Sequence, residues 1–318
     1  MKANIVRILG ASTLLFAASF SWGGALTATI IGSGSPVFNE DRASASVLIS
    51  NGVSKILLDM GNGTQANLAK LKVNDKTLDA LMFTHHHLDH NEEFLPILIH
   101  SLLGKQHFVI YGPPHTQQMT NSFIALFEED INYRLSKSKR DLSDRQNSFK
   151  ATDLKGSESF QIGGIKVTSL KVPSLKVPHT IHAIAYRFDY QGQSILVTGD
   201  LTYSDQVAVL AKNADYLIID SGGMQMNQTS QRKGKKNTTK KYQVNQKVRK
   251  SGKTSRNGRV IAHLNLAESS MIAKEAKVKN LVYTHFAKGE VDTEASMKII
   301  RTHYQGKVIF AQDLMVLE

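Results

Sequence analysis

One short stretch of the sequence constrains the fold of this chain more than any other. Within residues 85–90, four histidines and one aspartate fall inside six positions, directly after apolar residues 81–84 that are predicted to form a buried strand. Imidazole and carboxylate groups at the carboxyl end of a strand are typical of ligand sites in α/β sheets. This mixture of nitrogen and oxygen donors suits Zn²⁺, with Fe and Mn as alternatives. The candidate metal ligands in this stretch are His85, His87, Asp89 and His90.

Further donor residues stand at the ends of other predicted strands. Asp200 and His285 each come directly after an apolar strand, and His179 and His182 come just before another. Because neighbouring strands present their ends along a common edge of the sheet, we expect these side chains to meet the first group. A surface histidine cluster would not explain this repeated placement.

The rest of the chain alternates between β-rich apolar stretches and amphipathic ones. Strands are predicted at residues 27–31, 46–49, 55–59, 81–84, 107–111, 165–172, 183–188, 194–198, 216–220, 280–284 and 308–310. Helices are predicted at residues 65–71, 121–135, 205–211, 266–276 and 293–304. Asn265 and Glu268 predict a capping box at the start of the fourth helix. Strands that come in runs, with helices between them, indicate a layered α/β sandwich.

The beginning of the chain has the pattern of a secretory signal. Lys2 and Arg7 form a basic start, residues 8–20 are apolar and uncharged, and small residues follow. This apolar run is shorter than the ~20 residues that a membrane-spanning helix needs. We therefore expect a signal peptide over residues 1–25, one folded domain over residues 26–318, no membrane span in the mature form, and a periplasmic or secreted location.

The net charge of +12 is concentrated in one segment of the chain. Residues 232–259 contain 12 basic and no acidic side chains, and the remainder of the chain has 27 basic and 27 acidic residues. The surrounding residues 229–259 are polar and contain glycine, which predicts an exposed inserted loop. Such a loop is expected to bind a polyanion, either nucleic acid or a sulfated polysaccharide. A solvated loop without a ligand is the alternative interpretation.

The sequence resembles the metallo-β-lactamase-fold hydrolases. The resemblance rests on the pattern His-x-His-x-Asp-His at residues 85–90, a later histidine, Gly199-Asp200 at a strand end, and Thr284-His285. It implies an α/β fold of the αββα sandwich type. The stretches that resemble the ribonuclease Z branch in particular are residues 30–36, 57–61, 262–264 and 281–286. Residues 285–290, the N-terminal signal and the basic loop together resemble the secreted bacterial zinc arylsulfatases on that branch.

The resemblance also implies a dinuclear metal site, with two Zn²⁺ as the expected cofactors. It assigns His85, His87 and His179 to one zinc, Asp89, His90 and His285 to the other, and Asp200 to a bridge between them. His182 is a weaker alternative to His179. Asp89 would also orient the nucleophile and accept its proton. His263 would contact the scissile group, either protonating the leaving oxygen or acting as an anion clamp.

The leading functional hypothesis is a secreted zinc arylsulfatase that hydrolyses aryl sulfate esters by a metal-bridging hydroxide. A phosphodiesterase of the ribonuclease Z type is the alternative, because both reactions hydrolyse an anionic ester at the same kind of centre. Export would separate the enzyme from tRNA. The Gly/Pro-rich arm of ribonuclease Z has only a lone match at Gly112-Pro113-Pro114. The expected partners are a small aryl sulfate or sulfated anionic substrate and, by analogy, a second copy of the chain in a homodimer.

The absence of cysteine excludes several other classes of protein. Disulfide scaffolds, thiolate zinc sites and cysteine nucleophiles all need that residue. The β-lactamase subclasses with a cysteine ligand are excluded in the same way. Sulfatases that use a modified residue in a Cys/Ser-x-Pro-x-Arg setting have no counterpart in this sequence. A non-enzymatic polyanion-binding protein on a hydrolase scaffold is disfavoured, because a decayed site would have lost some of its ligands.

Overall fold

The computed structural model describes residues 24–104, 107–143, 147–173, 182–227 and 263–318, and the strands in these ranges form two seven-stranded sheets. The strands are β1 (Thr27–Gly32), β2 (Ser46–Ser50), β3 (Lys55–Leu58), β4 (Ala80–Met82), β5 (Phe108–Gly112), β6 (Phe149–Asp153), β7 (Ser159–Ile162), β8 (Ile165–Pro173), β9 (His182–Tyr190), β10 (Gln193–Val197), β11 (Tyr216–Asp220), β12 (Asn280–Thr284), β13 (Lys307–Phe310) and β14 (Met315–Leu317). The helices are α1 (Thr64–Lys70), α2 (Phe94–Gly104), α3 (Thr116–Leu126), α4 (Glu128–Ser136), α5 (Asp205–Leu210), α6 (Leu266–Ala276) and α7 (Thr293–Ile300).

Each sheet is antiparallel at one side and parallel at the other. The first sheet has the strand order β14-β1-β2-β3-β4-β5-β6, and β3 to β6 run parallel. The second sheet has the order β13-β12-β11-β10-β9-β8-β7, and β10 to β13 run parallel. The parallel strands bring several carboxyl ends to one edge of each sheet, which is where ligand sites form in α/β folds.

The packing of β3 shows how the layers are held together. Ile56 and Leu58 belong to the apolar core shared with the second sheet, whereas Leu57 packs with the apolar side chains of α2. Successive side chains of a strand point to opposite faces, so a wholly apolar strand is buried on both sides. Two mixed sheets packed together and flanked by helices confirm the predicted αββα sandwich.

Some predicted elements differ from the structure. The helix predicted at residues 121–135 is wrong as a single element, because α3 and α4 are separate helices interrupted at Phe127, whose φ is −110° and ψ is 18°. β6, β7, β14 and α2 were not predicted. α2 has apolar side chains around most of its circumference, so its sequence lacks the amphipathic period of a surface helix. The capping box is confirmed: Asn265 Oδ1 accepts the Glu268 N–H, and Glu268 Oε2 accepts the Asn265 N–H, both at 2.9 Å.

Two sequence predictions fall outside the described residues. Most of the proposed signal, residues 1–23, and the whole of the basic loop, residues 229–259, lie beyond these ranges. In the part of the chain that the structure describes, the helices are too short or too polar to cross a bilayer.

Candidate metal centre

The candidate metal ligands converge where the parallel strands of both sheets end. The histidine-rich stretch follows β4 in the first sheet, with Asp89 and His90 in a short 3-10 turn. Asp200 follows β10 and His285 follows β12 in the second sheet. Because β4 is a short buried strand that ends at Met82, the whole of this stretch emerges at the sheet edge. The site is therefore assembled from residues that are far apart in sequence.

Asp200 lies at the centre of the cluster. Its Oδ2 atom is 3.9 Å from His85 Nε2, and its Oδ1 atom is 3.7 Å from His90 Nε2 and 3.5 Å from His285 Nε2. Asp89 Oδ2 is 3.0 Å from His285 Nε2 and 3.5 Å from His90 Nε2. These five side chains surround one small volume with alternating nitrogen and oxygen donors.

His87, His179 and His182 complete the account of the predicted ligands. His87 Nδ1 is 2.8 Å from His85 Nε2, so His87 lies beside the cluster, but in the described part of the chain it belongs to none of the potential metal-holding groups. His179 lies outside the described residues. His182 opens β9 opposite Pro173, and it belongs to none of the potential metal-holding groups found among the described residues.

The fit of these residues to a metal ion can be judged from the buried polar atoms that have no hydrogen-bond partner. His90 Nε2, Asp200 Oδ1 and His263 Nδ1 are fully buried and have no hydrogen-bond partner among the described residues. An unpaired buried donor or acceptor costs about 1–3 kcal/mol, so such atoms are rare in native structures unless something else satisfies them. All three belong to groups whose ligand atoms lie within 4.8 Å of one another. The donor set fits a divalent cation of the zinc type.

The hydrogen bonds of Thr84 fix which nitrogen of His85 faces the cluster. The Thr84 hydroxyl donates its single proton to Asp59 Oδ2 at 2.7 Å, and its oxygen lies 3.0 Å from His85 Nδ1. His85 Nδ1 must therefore be the donor in that second contact, because the hydroxyl proton is already used. His85 Nε2, which lies 2.8 Å from His87 Nδ1 and 3.9 Å from Asp200 Oδ2, consequently carries the lone pair that a metal ligand requires.

Asp59 supports the cluster, although the sequence did not single it out as a site residue. Its Oδ2 atom accepts a hydrogen bond from His90 Nδ1 at 2.8 Å, and its Oδ1 atom accepts the Thr84 N–H at 2.8 Å. This carboxylate–histidine arrangement orients metal-binding imidazoles and increases their basicity. The available signal was its position, because Asp59 directly follows β3, as Asp200 and His285 follow their own apolar strands.

The pKa values of the site separate neutral from charged imidazoles. Burial lowers the pKa of His85 well below its usual range and also lowers the pKa of His87, so both are neutral. Burial alone would lower the pKa of His90, but the carboxylates of Asp59 and Asp200 raise it to about 9. Burial alone would raise the pKa of Asp200, but the surrounding imidazoles lower it, so it is a carboxylate. A cation entering this site would displace the proton of His90.

His263 joins the cluster from the loop before α6, and Asp220 holds it there. His263 Nδ1 is 3.9 Å from Asp200 Oδ2 and 3.7 Å from Asp220 Oδ1. Asp220 Oδ2 accepts the Leu201 N–H at 3.1 Å, and Oδ1 accepts the Gly222 N–H at 2.8 Å. Burial alone would lower the pKa of His263, but Asp220 and Asp200 raise it to about 9. Asp220, which ends β11, is a second functional carboxylate that the sequence interpretation missed.

Three residues of the site have a left-handed backbone. Asp59 has a φ of 59°, Gly199 a φ of 60° and His285 a φ of 63°. Glycine suits position 199 for a second reason, because a Cβ atom there would lie 2.5 Å from the Thr84 hydroxyl oxygen. For the two non-glycine residues the conformation is unfavourable, and it persists because the surrounding structure holds it.

The described residues that flank the basic segment include one residue of the candidate metal centre. On its N-terminal side, Met226 pairs with Val291 in an antiparallel bridge, and the Asn227 N–H donates to the Glu290 carbonyl at 2.9 Å. On its C-terminal side, the next described residue is His263. Of these flanking residues, His263 is the one that belongs to a donor group around Asp200.

The family of the chain follows from this fold and from comparison with known proteins. Residues 54–286 match the family model described as a beta-lactamase superfamily domain. The chain therefore belongs to the beta-lactamase superfamily, and its sandwich fold with a histidine and aspartate cluster at the sheet edge defines it as a metallo-β-lactamase-fold hydrolase.

Individual similar proteins indicate a narrower class than the family model does. The chain is 26% identical over 300 residues to the ribonuclease Z of Mycobacterium bovis (strain BCG / Pasteur 1173P2), which covers 92% of this chain and 98% of that protein. It is similar in fold to the metallo-beta-lactamase fold protein YhfI from Bacillus subtilis, with a TM-score of 0.64, 22% identity, and coverage of 92% of this chain and 98% of that one. Human tRNase Z, short form, gives a TM-score of 0.60 at 18% identity with the same coverage. The predicted ribonuclease Z-like character is confirmed; the predicted closeness to arylsulfatases is not shown by these proteins.

Proposed function

We propose that this protein is a metal-dependent phosphodiesterase of the ribonuclease Z type. The observation that carries the proposal is the convergence of His85, Asp89, His90, Asp200 and His285 on one volume, in which His90 Nε2 and Asp200 Oδ1 are buried without a partner among the described residues. The relative named ribonuclease Z, which spans nearly the whole chain, favours a phosphodiester over a sulfate ester as the substrate. RNA is accordingly the proposed class of natural substrate.

A divalent cation bound in this cluster would supply Lewis-acid catalysis, neutralising the ester and activating water. The protein residues orient the reactants around it. Burial alone would raise the pKa of Asp89, but its hydrogen bond with His285 lowers it, so Asp89 is a carboxylate. A carboxylate in this position can accept a hydrogen bond from the attacking water and take its proton. Asp89 thus has the role of general base.

His263 is suited to the opposite role at the leaving group. The carboxylates of Asp220 and Asp200 raise its pKa to about 9, and its side chain is 37% exposed, unlike the other histidines around Asp200. A protonated imidazole open to solvent can hold an anionic phosphoryl oxygen or protonate a departing alkoxide. Asp220 orients the ring and stabilises its charge. Proton transfer through His263 matters more for a ribose leaving group than for a phenolate, which leaves without protonation.

Arylsulfatase activity is retained as a second candidate function. The feature that favours it is the turn at Gly112-Pro113-Pro114, which connects β5 to α3 and leads directly into helices in place of an extended arm. Export through residues 1–25, a periplasmic or secreted location and a homodimer accompany this proposal as sequence-based expectations. The same residues would serve either ester, because sulfate and phosphate esters present similar anionic oxygens to the cluster.

A direct comparison of two chromogenic esters tests the proposal. Purified zinc-loaded protein is assayed with bis-p-nitrophenyl phosphate and with p-nitrophenyl sulfate, which release the same phenolate. We expect kcat/KM to favour the phosphodiester and a chelator to abolish the activity. A clear preference for the sulfate ester would replace phosphodiesterase with arylsulfatase. Asp200→Ala should abolish turnover and reduce bound zinc, and full activity in this variant would refute the assigned centre.

A further inference from the structure

A cleft of about 280 Å³ opens beside the metal centre. His263 and His285 line it, and both also belong to the donor group around Asp200. The cleft is therefore adjacent to the place where the ester would be cleaved. Any substituent on the scissile group that points away from Asp200 along His263 enters this space.

The part of the cleft away from the metal centre is largely apolar. Pro36, Met224, Met226 and Ala287 contribute apolar side chains, two serines and two glycines complete the lining with His263 and His285, and no lysine, arginine, aspartate or glutamate is among the described lining residues. A charged group placed against the apolar side chains, out of reach of His263, would lose hydration without gaining a partner, which is costly. Methionine side chains are flexible and polarizable, and their sulfur atoms make favourable contacts with aromatic rings. This lining suits an uncharged ring better than a phosphate or a sugar chain.

The size of the cleft limits what it can hold. A cavity of roughly 150 Å³ accommodates benzene, and ligand pockets for larger molecules begin at about 300 Å³. The cleft therefore has room for a single ring system with a substituent, such as a nitrophenyl group or one nucleobase.

Both walls of the cleft are fixed to the framework of the site. On one side, the Ser35 N–H donates to the Phe286 carbonyl at 3.1 Å, which places Pro36 beside the residue following His285. On the other side, Met226 pairs with Val291. The backbone of the cleft is therefore held in place, and its flexible methionine side chains can adapt to a flat ring.

We propose that this cleft binds a planar, uncharged aromatic ring of the ester substrate, and that Met224 and Met226 determine this specificity. The proposal rests on the ester hydrolysis proposed above and names the part of the substrate that lies next to the scissile bond. An aryl group attached directly to the ester and a nucleobase one sugar away share this chemistry.

The proposal can be tested with pairs of inhibitors in which one member carries a ring and the other does not. Phenylphosphonate and methylphosphonate carry the same anionic head group, and their inhibition constants against bis-p-nitrophenyl phosphate are compared. Burial of the ring should make phenylphosphonate roughly tenfold or more tighter in the wild type. Adenosine 5′-phosphate and ribose 5-phosphate form a second pair, in which the ring lies one sugar from the phosphate. Tighter binding of phenylphosphonate within the first pair would show that the cleft takes an aryl group attached directly to the ester. A preference for the ring only within the second pair would show that the cleft takes a nucleobase.

Substitutions of Met224 and Met226 then test whether these two residues cause the preference for the ring-bearing inhibitor. Met224→Gln and Met226→Gln keep the side-chain length but replace the thioether with an amide, and each should reduce the ring preference by about threefold or more. Met224→Leu and Met226→Leu restore an apolar wall and should retain most of it. Met119→Gln, at a half-buried methionine of α3 that packs against the core beneath the first sheet, is the matched control and should leave the ratio unchanged.

The outcomes separate this proposal from the function on which it rests. Equal inhibition within both pairs in the wild type, or a preference that survives both glutamine variants, would overturn the assignment of the cleft. If phosphodiesters are hydrolysed in those cases, the proposed function stands and only the cleft assignment fails. If no phosphodiester is hydrolysed, the pairs are measured against p-nitrophenyl sulfate. If the preference for a ring is then lost in the glutamine variants, the assignment of the cleft is supported, whereas the proposed phosphodiesterase function is rejected.

Discussion

The carboxylate of Asp59 orients two residues of the metal centre without belonging to any of the donor groups around Asp200. It holds His90 through Nδ1 and Thr84 through both its N–H and its hydroxyl, and Thr84 in turn fixes His85. Removing its charge should therefore weaken the site while leaving every direct ligand in place. This makes Asp59 the most informative single residue outside the ligand set.

Asp59→Asn is expected to lower metal affinity by roughly 10- to 100-fold, which is the usual effect of losing a partner that orients a metal ligand. The amide keeps the size of the side chain, and asparagine tolerates the left-handed φ of 59° at this position. Competition between the protein and a chromogenic zinc chelator measures the affinity directly.

A second histidine–carboxylate pair supplies the control for this experiment. His100 Nδ1 lies 2.8 Å from Asp75 Oδ2, the same distance as in the pair at the metal centre, but neither residue belongs to a donor group. Asp75→Asn should leave zinc affinity unchanged. Equal loss in the two variants would mean that Asp59 acts through general stability and not through His90.

At the scale of single elements, local sequence patterns predicted the parts of the fold that they determine. The stretch 85–90 was recognisable as a set of candidate ligands because its residues are neighbours in sequence. Asp59 and Asp220 were missed because their partners, His90 and His263, lie 31 and 43 positions away in the chain. Apolar periodicity failed at α2, which is buried around most of its surface. Such residues acquire their roles only from the way the two sheets pack.

The helix that follows His263 offers a test at this scale. Asn265→Ala removes the N-cap of α6 and should reduce the free energy of unfolding by about 1 kcal/mol, within a range of roughly 0.5–2 kcal/mol. Denaturation in urea measures the change. Asn265→Ser keeps a capping oxygen and should retain most of the stability. Equal losses in both variants would show that packing at this 9% exposed position, and not the cap, carries the effect.

At the scale of the whole molecule, the excess positive charge and the candidate catalytic residues lie in different segments of the chain. The segment 232–259 carries the entire excess charge, and the remainder is balanced. His263, the first described residue after it, belongs to a donor group around Asp200. We propose that this segment binds a polymeric anion such as RNA without taking part in the reaction.

Replacing all 12 basic residues of this segment with glutamine keeps its length and removes its charge. We expect kcat/KM for bis-p-nitrophenyl phosphate to change by less than about twofold, because a small ester needs no extended contact. Affinity for single-stranded RNA should fall steeply. In the wild type that affinity should drop roughly 10³-fold or more between 50 and 200 mM salt if six or more phosphates are contacted. Fluorescence anisotropy of a labelled RNA measures both effects, and salt-independent binding would contradict the assignment.

The left-handed backbone at Asp59 and His285 shows that the contacts of these side chains outweigh the strain of their backbone. Each residue adopts, at a cost on the order of 1 kcal/mol, a conformation that glycine adopts freely. Replacement of Asp59 by glycine would relieve that strain, but it would leave the Thr84 N–H, the Thr84 hydroxyl and His90 Nδ1 without their acceptor, at about 1–3 kcal/mol for each buried group. A glycine introduced at a left-handed position to gain stability would therefore be a poor choice here, although it is a sensible one elsewhere in a protein.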